Sequence, residues 1–376
     1  MVFYIDKSIH TALASRKITE PEVDFFDSLA RACRRGYCAL CGNHSSLSDL
    51  SEHLPGRSGE YYRVALNRYA EQGVILSAVE KVFVLTFSPD SLEDTLPTVL
   101  KSSPNKICVI SIINALKWSF DGFCYLLAEN LNDCKFYHLI AKYYCASHSI
   151  QGVDIHLRFM SGGGNTINDE LRNCVCNHMT PTLCIVDSDW KHGPSKAFPN
   201  KPQDGKTLQR VSETSQQLAR DTTLPPHYLY PLPIHEVENL IPLHTMNHLS
   251  QEFISMREGV TLLKELKGIK AGEPLLYYDF KNGFPYIKDG PQRAYWQDIY
   301  VDFLNGTAEN MPPLSKDTNG PTPFPAAGIK SLLERAITVI SEDIESIQID
   351  EHLLPYWEQL GSLVFTWGCS NLPLLA

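Results

Sequence analysis

Apolar and polar positions follow two different rhythms along this chain, and the change of rhythm sets its expected organisation. Up to about residue 105 the apolar residues recur mainly at helical spacing, as in SLARACRRGY and YYRVALNRYAEQG, around the Ser- and Gly-rich stretch SSLSDLSEHLPGRSG. One run there, KVFVLTF, reads as a strand, and SPDSLEDTLP behind it offers Ser and Asp to cap a new helix. From about 106 to 245, short apolar runs alternate with helical stretches. FCYLLAE (123–129) and VDIHLRFM (153–160) read as strands, with DCKFYHLIAKYYCA helical between them. The turn SGGGN and the helical NDELRNCVCNHM lead through Pro181 to TLCIVDSD (182–189), the clearest strand of all. This strand–helix alternation predicts an α/β fold, a parallel sheet flanked by helices. A polar stretch and YLYPLPIHEVENLIPL follow. After 246 the pattern is mainly helical, interrupted by YYDFKNGFPYIKDG, whose Asn-Gly and Asp-Gly pairs mark turns, and by the linker-like TNGPTPFPAAG. The expected domains are a mainly helical N-terminal region (1–105), a central α/β domain (106–245) and a mainly helical C-terminal region (246–376).

Composition narrows the class. A chain of 376 residues exceeds what one core usually serves, and 43% hydrophobic residues exclude a wholly disordered chain. No apolar stretch reaches the ~18 residues of a membrane span, and MVFYIDKSIHTALASRK lacks the basic start and apolar core of a secretory signal. The eleven cysteines, odd in number and mostly inside apolar runs, fit free thiols in a reducing compartment. A cytoplasmic protein without membrane contact is expected. The net charge of −10 argues against a nucleic-acid coat protein but says little about one local site.

Carboxylates supply the strongest candidate chemistry. Glu129 ends the first strand of the central region, with Asp133 four residues on; Asp187 and Asp189 end the third; Glu236 and Glu238 lie in HEVENL. Carboxyl ends of neighbouring parallel strands open on one crevice, so Glu129, Asp187 and Asp189 can converge despite their distance in sequence. Clustered carboxylates repel unless a hard divalent cation, normally Mg²⁺, takes their oxygens. Taken singly, each of these residues can equally be a helix cap or a turn.

Their order carries a family resemblance. Residues from about 122 to 245 resemble a TOPRIM domain, the metal-binding fold of topoisomerases, bacterial primases and OLD-type nucleases. The similarity rests on LLAENLNDCKFYHLIA, the Gly162-Gly163-Gly164 turn, IVDSD, and Glu238-Asn239 inside HEVENLI. It is greatest to the nucleases of bacterial anti-phage defence systems. One departure is Asn130, where the first motif carries Gly; Asn is the residue next most tolerant of the left-handed conformation.

The resemblance implies a metal-dependent nuclease cutting DNA or tRNA, with Mg²⁺ or Mn²⁺ as cofactor. Glu129 becomes a metal ligand or the base activating water, and Asp187 and Asp189 hold the principal cation. Asp133, Glu236 and Glu238 can complete a second metal site, Glu238 being favoured; Asp133 fits equally a helix N-terminus. By analogy with defence systems a partner ATPase acts as sensor, since the chain has no G-x-x-x-x-G-K-[ST] motif. Oligomeric state is left open.

Residues 190–220 carry six positive charges against two negative, +4 in total: Lys191, Lys196, Lys201, Lys206, Arg210 and Arg220 against Asp204 and Glu213. Lys191, two residues beyond Asp189, is placed to meet a phosphate; Lys196, Lys201, Lys206 and Arg210 are nucleic-acid contacts or a solvated loop. Gly162, Gly163 and Gly164 either approach a phosphate or permit a strand-to-helix turn. Aromatics in 277–304 can stack on bases beside Lys281, Lys288 and Arg293, or pack a core.

Three other readings compete. The TOPRIM-like domain can be a degenerate interaction module docking to a partner, an idea motivated by Asn130 and the net charge. Cys38 and Cys41, with Cys33, His44 and His53 nearby, have the spacing of half a zinc knuckle, or belong to one turn of a half-buried helix. EHLPGRSG, with His53, is similar to the His segment of HNH nucleases. Topoisomerase or primase activity lacks a recognisable companion domain.

Overall fold

Four short parallel strands organise the N-terminal part of the chain: β1 (Val2–Ile5), β2 (Ala39–Gly42), β3 (Val82–Thr86) and β4 (Ile107–Ser111), in the order β2-β1-β3-β4. The computed structural model describes all residues except 93–95, 104–105, 119–122, 194–203, 254–255, 282–290, 308–330 and 373–376, and only the backbone of 91, 300 and 303–307. β1, β2 and β3 are buried at every position, as expected of parallel strands covered on both faces. Helices Glu20–Arg34, His44–His53 and Arg57–Asn67 lie between them in sequence. Of this sheet, β3, in KVFVLTF, reads as a strand from the sequence, but β1 and β2 do not. Strands of four or five apolar residues lack a period that would set them apart from buried helix.

The second sheet holds the acidic strands. β5 (Cys124–Ala128) runs into helix Leu131–Ser147, followed by β6 (Val153–Ile155), β7 (Leu157–Ser161), β8 (Thr182–Val186), β9 (His227–Pro231) and, last in the chain, β10 (Cys369–Asn371). The order is β7-β5-β8-β9, and β5 pairs in parallel with both β7 and β8. The chain thus goes out from β5 to β7 and returns to β8 on the other side, a doubly wound arrangement with a switch point between β5 and β8. The run VDIHLRFM is two strands rather than one. It divides at His156, whose N–H donates to Gly368 O at 2.8 Å. β6 then pairs antiparallel with β10, while β7 joins β5.

The chain forms two compact units, each discontinuous in sequence. The first comprises Met1–Cys184, Val211–Leu229 and Leu360–Ala376. Its core holds Phe3, Phe26, Tyr62, Phe83, Phe136 and Tyr137, all under 2% exposed. The second comprises Ile185–Arg210 and Tyr230–Gln359. Helices Leu243–Glu252, Arg257–Lys267, Pro291–Thr307 and Leu332–Glu342 belong to it. Trp357, fully buried there, donates its indole N–H to Leu240 O at 2.9 Å. Among the described residues no helix is long and apolar enough to cross a membrane.

Candidate functional site

Within the second unit the segment after β8 is tied down on three sides. Leu232 N donates to Val186 O at 2.9 Å, Asp189 N to His235 O at 3.0 Å, and Gly205 N to Ser188 O at 2.9 Å. Ser188, fully buried, donates its hydroxyl to Ile234 O. Asp187 is half-buried and Asp189 exposed. Asp189 has φ +57°, a left-handed conformation that Asp tolerates better than most residues. This reversal takes the Asp-Ser-Asp pair out of strand alternation.

The HEVENL segment forms a second, more buried group in the same unit. Glu236 is the N-cap of a short 3₁₀ turn, Val237–Leu240, and its N–H donates to Asn239 Oδ1 at 3.0 Å. Asn239 Nδ2 donates in turn to Leu275 O at 2.6 Å and Tyr278 O at 2.9 Å. That clasp brings in Asp279 and Lys281. Lys281 Nζ lies 2.9 Å from Glu236 Oε2 and 2.9 Å from Glu238 Oε1. Burial alone lowers the Lys281 ammonium, but Glu238 and Glu236 outweigh it and hold it above its ordinary value. Burial first, and Glu238 second, raise the Glu236 carboxyl, against the pull of Lys281 and His235. His235 Nε2 stands 3.8 Å from Asp279 Oδ2.

Three buried polar atoms of this group have no hydrogen-bond partner: His235 Nδ1, Glu236 Oε1 and Glu238 Oε2. Such orphans are costly unless something else completes them. Ligand atoms of His235, Glu236 and Asp279 all lie within 4.8 Å of one another, the one such trio among the described residues. His235 and Asp279 were not candidates from the sequence. His235 adjoins Glu236 in the chain, but nothing in YYDFK marks Asp279 as its neighbour.

Glu236 also gives a pH prediction with a definite sign. An unfolded Glu releases its proton near 4.5, whereas folded Glu236 holds it to higher pH. In that window the folded state binds more protons, so this group's contribution to stability falls as pH rises above about 4.5. Glu236→Gln is expected to remove that component. Urea melts in EDTA across the window should therefore show a smaller loss of stability with rising pH in the variant than in wild type.

The first unit holds the remaining acidic candidates. Glu129 follows β5 directly. Asn130 is the N-cap of helix Leu131–Ser147 with φ −133°, an extended conformation open to any residue. The expectation that Asn stands in for a left-handed Gly is thus corrected. Asp133 Oδ2 accepts Asn130 N at 2.8 Å in a capping box, which is the helix-terminus role of its two readings. Gly162 N and Gly163 N donate to Ala128 O at 2.8 Å and Glu129 O at 3.1 Å. Gly163 and Gly164 both have φ +64°. A Cβ on Gly162 would fall 2.4 Å from Ile167 Cβ, and one on Gly164 would lie 4.0 Å from Glu129 Oε2. The glycine run thus builds a tight turn beside Glu129.

Among the basic candidates, Lys191, Lys206 and Arg210 are exposed. Lys196 and Lys201 lie outside the described residues. The aromatics of 277–304 are core where described: Tyr278 and Trp296 are fully buried and Tyr295 is 1% exposed. The cysteine trio departs from its helical reading. Cys38 and Cys41 flank and enter β2, and Cys33 Sγ lies 3.0 Å from Cys38 Sγ in the core. Burial pushes the Cys33 and Cys41 thiols up, and among the described residues no group of three metal-ligating side chains includes them. His53 ends a helix, its Nδ1 2.8 Å from Asp49 O.

Comparison of the chain with protein-family models, curated proteins and solved structures finds no match.

Proposed function

We propose that this chain is a divalent-cation-dependent phosphodiesterase of the TOPRIM type that cuts nucleic acid. One observation supports it above the rest: β5 and β8 are parallel neighbours at a topological switch point, and both are followed at once by carboxylates. In this reading Asp187 and Asp189 hold Mg²⁺ or Mn²⁺, and their all-oxygen donors suit a hard cation. The cation supplies Lewis-acid stabilisation of charge on the phosphate. Glu129 takes the proton of the attacking water, and Lys191 offers its ammonium to the phosphate. The anti-phage setting and the partner ATPase belong to the same proposal and rest on the family resemblance alone.

The direct test incubates the pure protein with plasmid, single-stranded DNA and total tRNA, each with Mg²⁺, Mn²⁺ or a chelator. Cleavage of at least one substrate, lost in chelator, is expected. Folded protein inert on all three with either cation would overturn the reading and favour the interaction module. That alternative has lost one of its two motives, because the extended Asn130 needs no glycine.

A second prediction concerns Gly205. A Cβ there would fall 2.0 Å from Asp189 Oδ2, so Gly205→Ala must displace the Asp189 carboxylate. Misplacing a reacting group by about an ångström costs roughly a hundredfold in rate. Cleavage by the alanine variant should fall by that order while its melting temperature stays near wild type.

A further inference from the structure

Buried polar atoms in the group around His235 lack a hydrogen-bond partner. Glu236 and Glu238 share the one ammonium of Lys281, and Asp279 lies against His235. All four residues are buried, with exposures of 9% for Glu236, 7% for Glu238, 7% for Asp279 and 5% for His235. Charge at such depth must be neutralised or protonated. Lys281 occupies one edge only. It binds Glu236 Oε2 and Glu238 Oε1, while Glu236 Oε1 and Glu238 Oε2 are buried with no partner.

We propose that His235, Glu236 and Asp279 form a binding site for one divalent transition cation, Mn²⁺ or Zn²⁺, with Lys281 as the competing positive charge. The three donor atoms lie within 4.8 Å of one another. Opposite ligands about such an ion are separated by about 4.2 Å, given metal–ligand bonds of about 2.1 Å, so small side-chain adjustments close the site. One imidazole nitrogen beside two carboxylate oxygens moves preference from Mg²⁺ toward Mn²⁺ and Zn²⁺. The frame is already fixed by backbone bonds. His235 N donates to Leu276 O at 2.9 Å, Asn239 ties Leu275 and Tyr278, and Lys281 N donates to Asp279 Oδ1 at 3.1 Å. Ligands on segments clasped in this way lose little freedom on binding. The site stands independently of the phosphodiesterase reading, because it is read by metal binding without nucleic acid.

The test uses the full chain carrying Asp187→Asn and Asp189→Asn, stripped with EDTA and dialysed. Titration with Mn²⁺, followed by the electron paramagnetic resonance of free Mn²⁺, should show one site per chain; Zn²⁺ should compete for it and equimolar Mg²⁺ should not. Adding His235→Gln or Asp279→Asn should weaken Mn²⁺ binding at least tenfold. Lys281→Met should tighten it about tenfold, a gain that neither misfolding nor a purely structural ion pair produces. Circular dichroism melts check each fold. Absence of both Mn²⁺ and Zn²⁺ binding, or unchanged affinity in His235→Gln and Asp279→Asn, would overturn the proposal. Loss of the phosphodiesterase reading alone would appear instead as intact Mn²⁺ binding in a protein that cleaves nothing.

Discussion

Asp187→Ala is expected to lower metal-dependent cleavage by roughly a thousandfold or more, the scale on which central catalytic groups act. The residue leaves β8 with its side chain half-buried, and the backbone around it is held by Ser188, Asp189 and Gly205 through main-chain and hydroxyl bonds that alanine leaves intact. The backbone frame should therefore persist in the variant. Asp187→Asn keeps the shape and removes the charge, and should fail almost as completely. Glu129→Ala should behave in parallel, because Glu129 follows β5 as Asp187 follows β8. Rates on a labelled substrate, with melting curves of the same samples, decide the matter. Cleavage at the wild-type rate in either alanine variant would remove its residue from the proposed machinery.

Trp296→Ala should have the largest effect on stability, about 3–5 kcal/mol, the usual cost of deleting a buried indole. Trp296 is fully buried in helix Pro291–Thr307, packed edge-on against Tyr295 at 5.3 Å and Tyr278 at 6.1 Å between ring centroids. Its indole N–H donates to Lys191 O at 2.6 Å. Trp296→Phe keeps most of the ring volume but leaves that carbonyl without this donor, for which about 1–3 kcal/mol is expected. Urea unfolding resolves the two losses. A Phe variant as stable as wild type would show that the Lys191 carbonyl is satisfied without the indole.

The central region was the more legible part of the sequence, and the reason is local. TLCIVDSD and FCYLLAE are apolar runs of strand length ended by charge, so β5 and β8 stand out. The helix after β5 was legible as DCKFYHLIAKYYCA with Asp133 at its start, although the N-cap role of Asn130 was not. β1 and β2 gave no comparable signal. VFYI is four residues long, and ALCG sits inside a Cys-x-x-Cys spacing that also fits one helical turn. What makes them strands is pairing with each other and with β3, which no short window contains. The same limit hid the His235 group. Its Glu236 and Glu238 were visible, but Asp279 and Lys281 reach them only because Asn239 bonds the carbonyls of Leu275 and Tyr278, more than 35 residues away. The glycine run was legible as a turn, and its dihedral angles and backbone bonds account for it without a ligand.

The discontinuity of the first unit has a consequence for how the chain is made. Cys369–Asn371 pairs with Val153–Ile155, Thr366 Oγ1 accepts Glu80 N at 2.9 Å, and Asn371 Nδ2 donates to Tyr61 OH at 2.8 Å. A ribosome must therefore synthesise the whole of 185–359 before the first unit can finish its hydrogen bonding. Contacts of such sequence separation form slowly, since loop closure precedes their reward. A nascent chain paused before residue 360 carries Glu129, Asp187 and Asp189 but an unfinished first unit. Completion of that unit thus waits for its last segment to be translated.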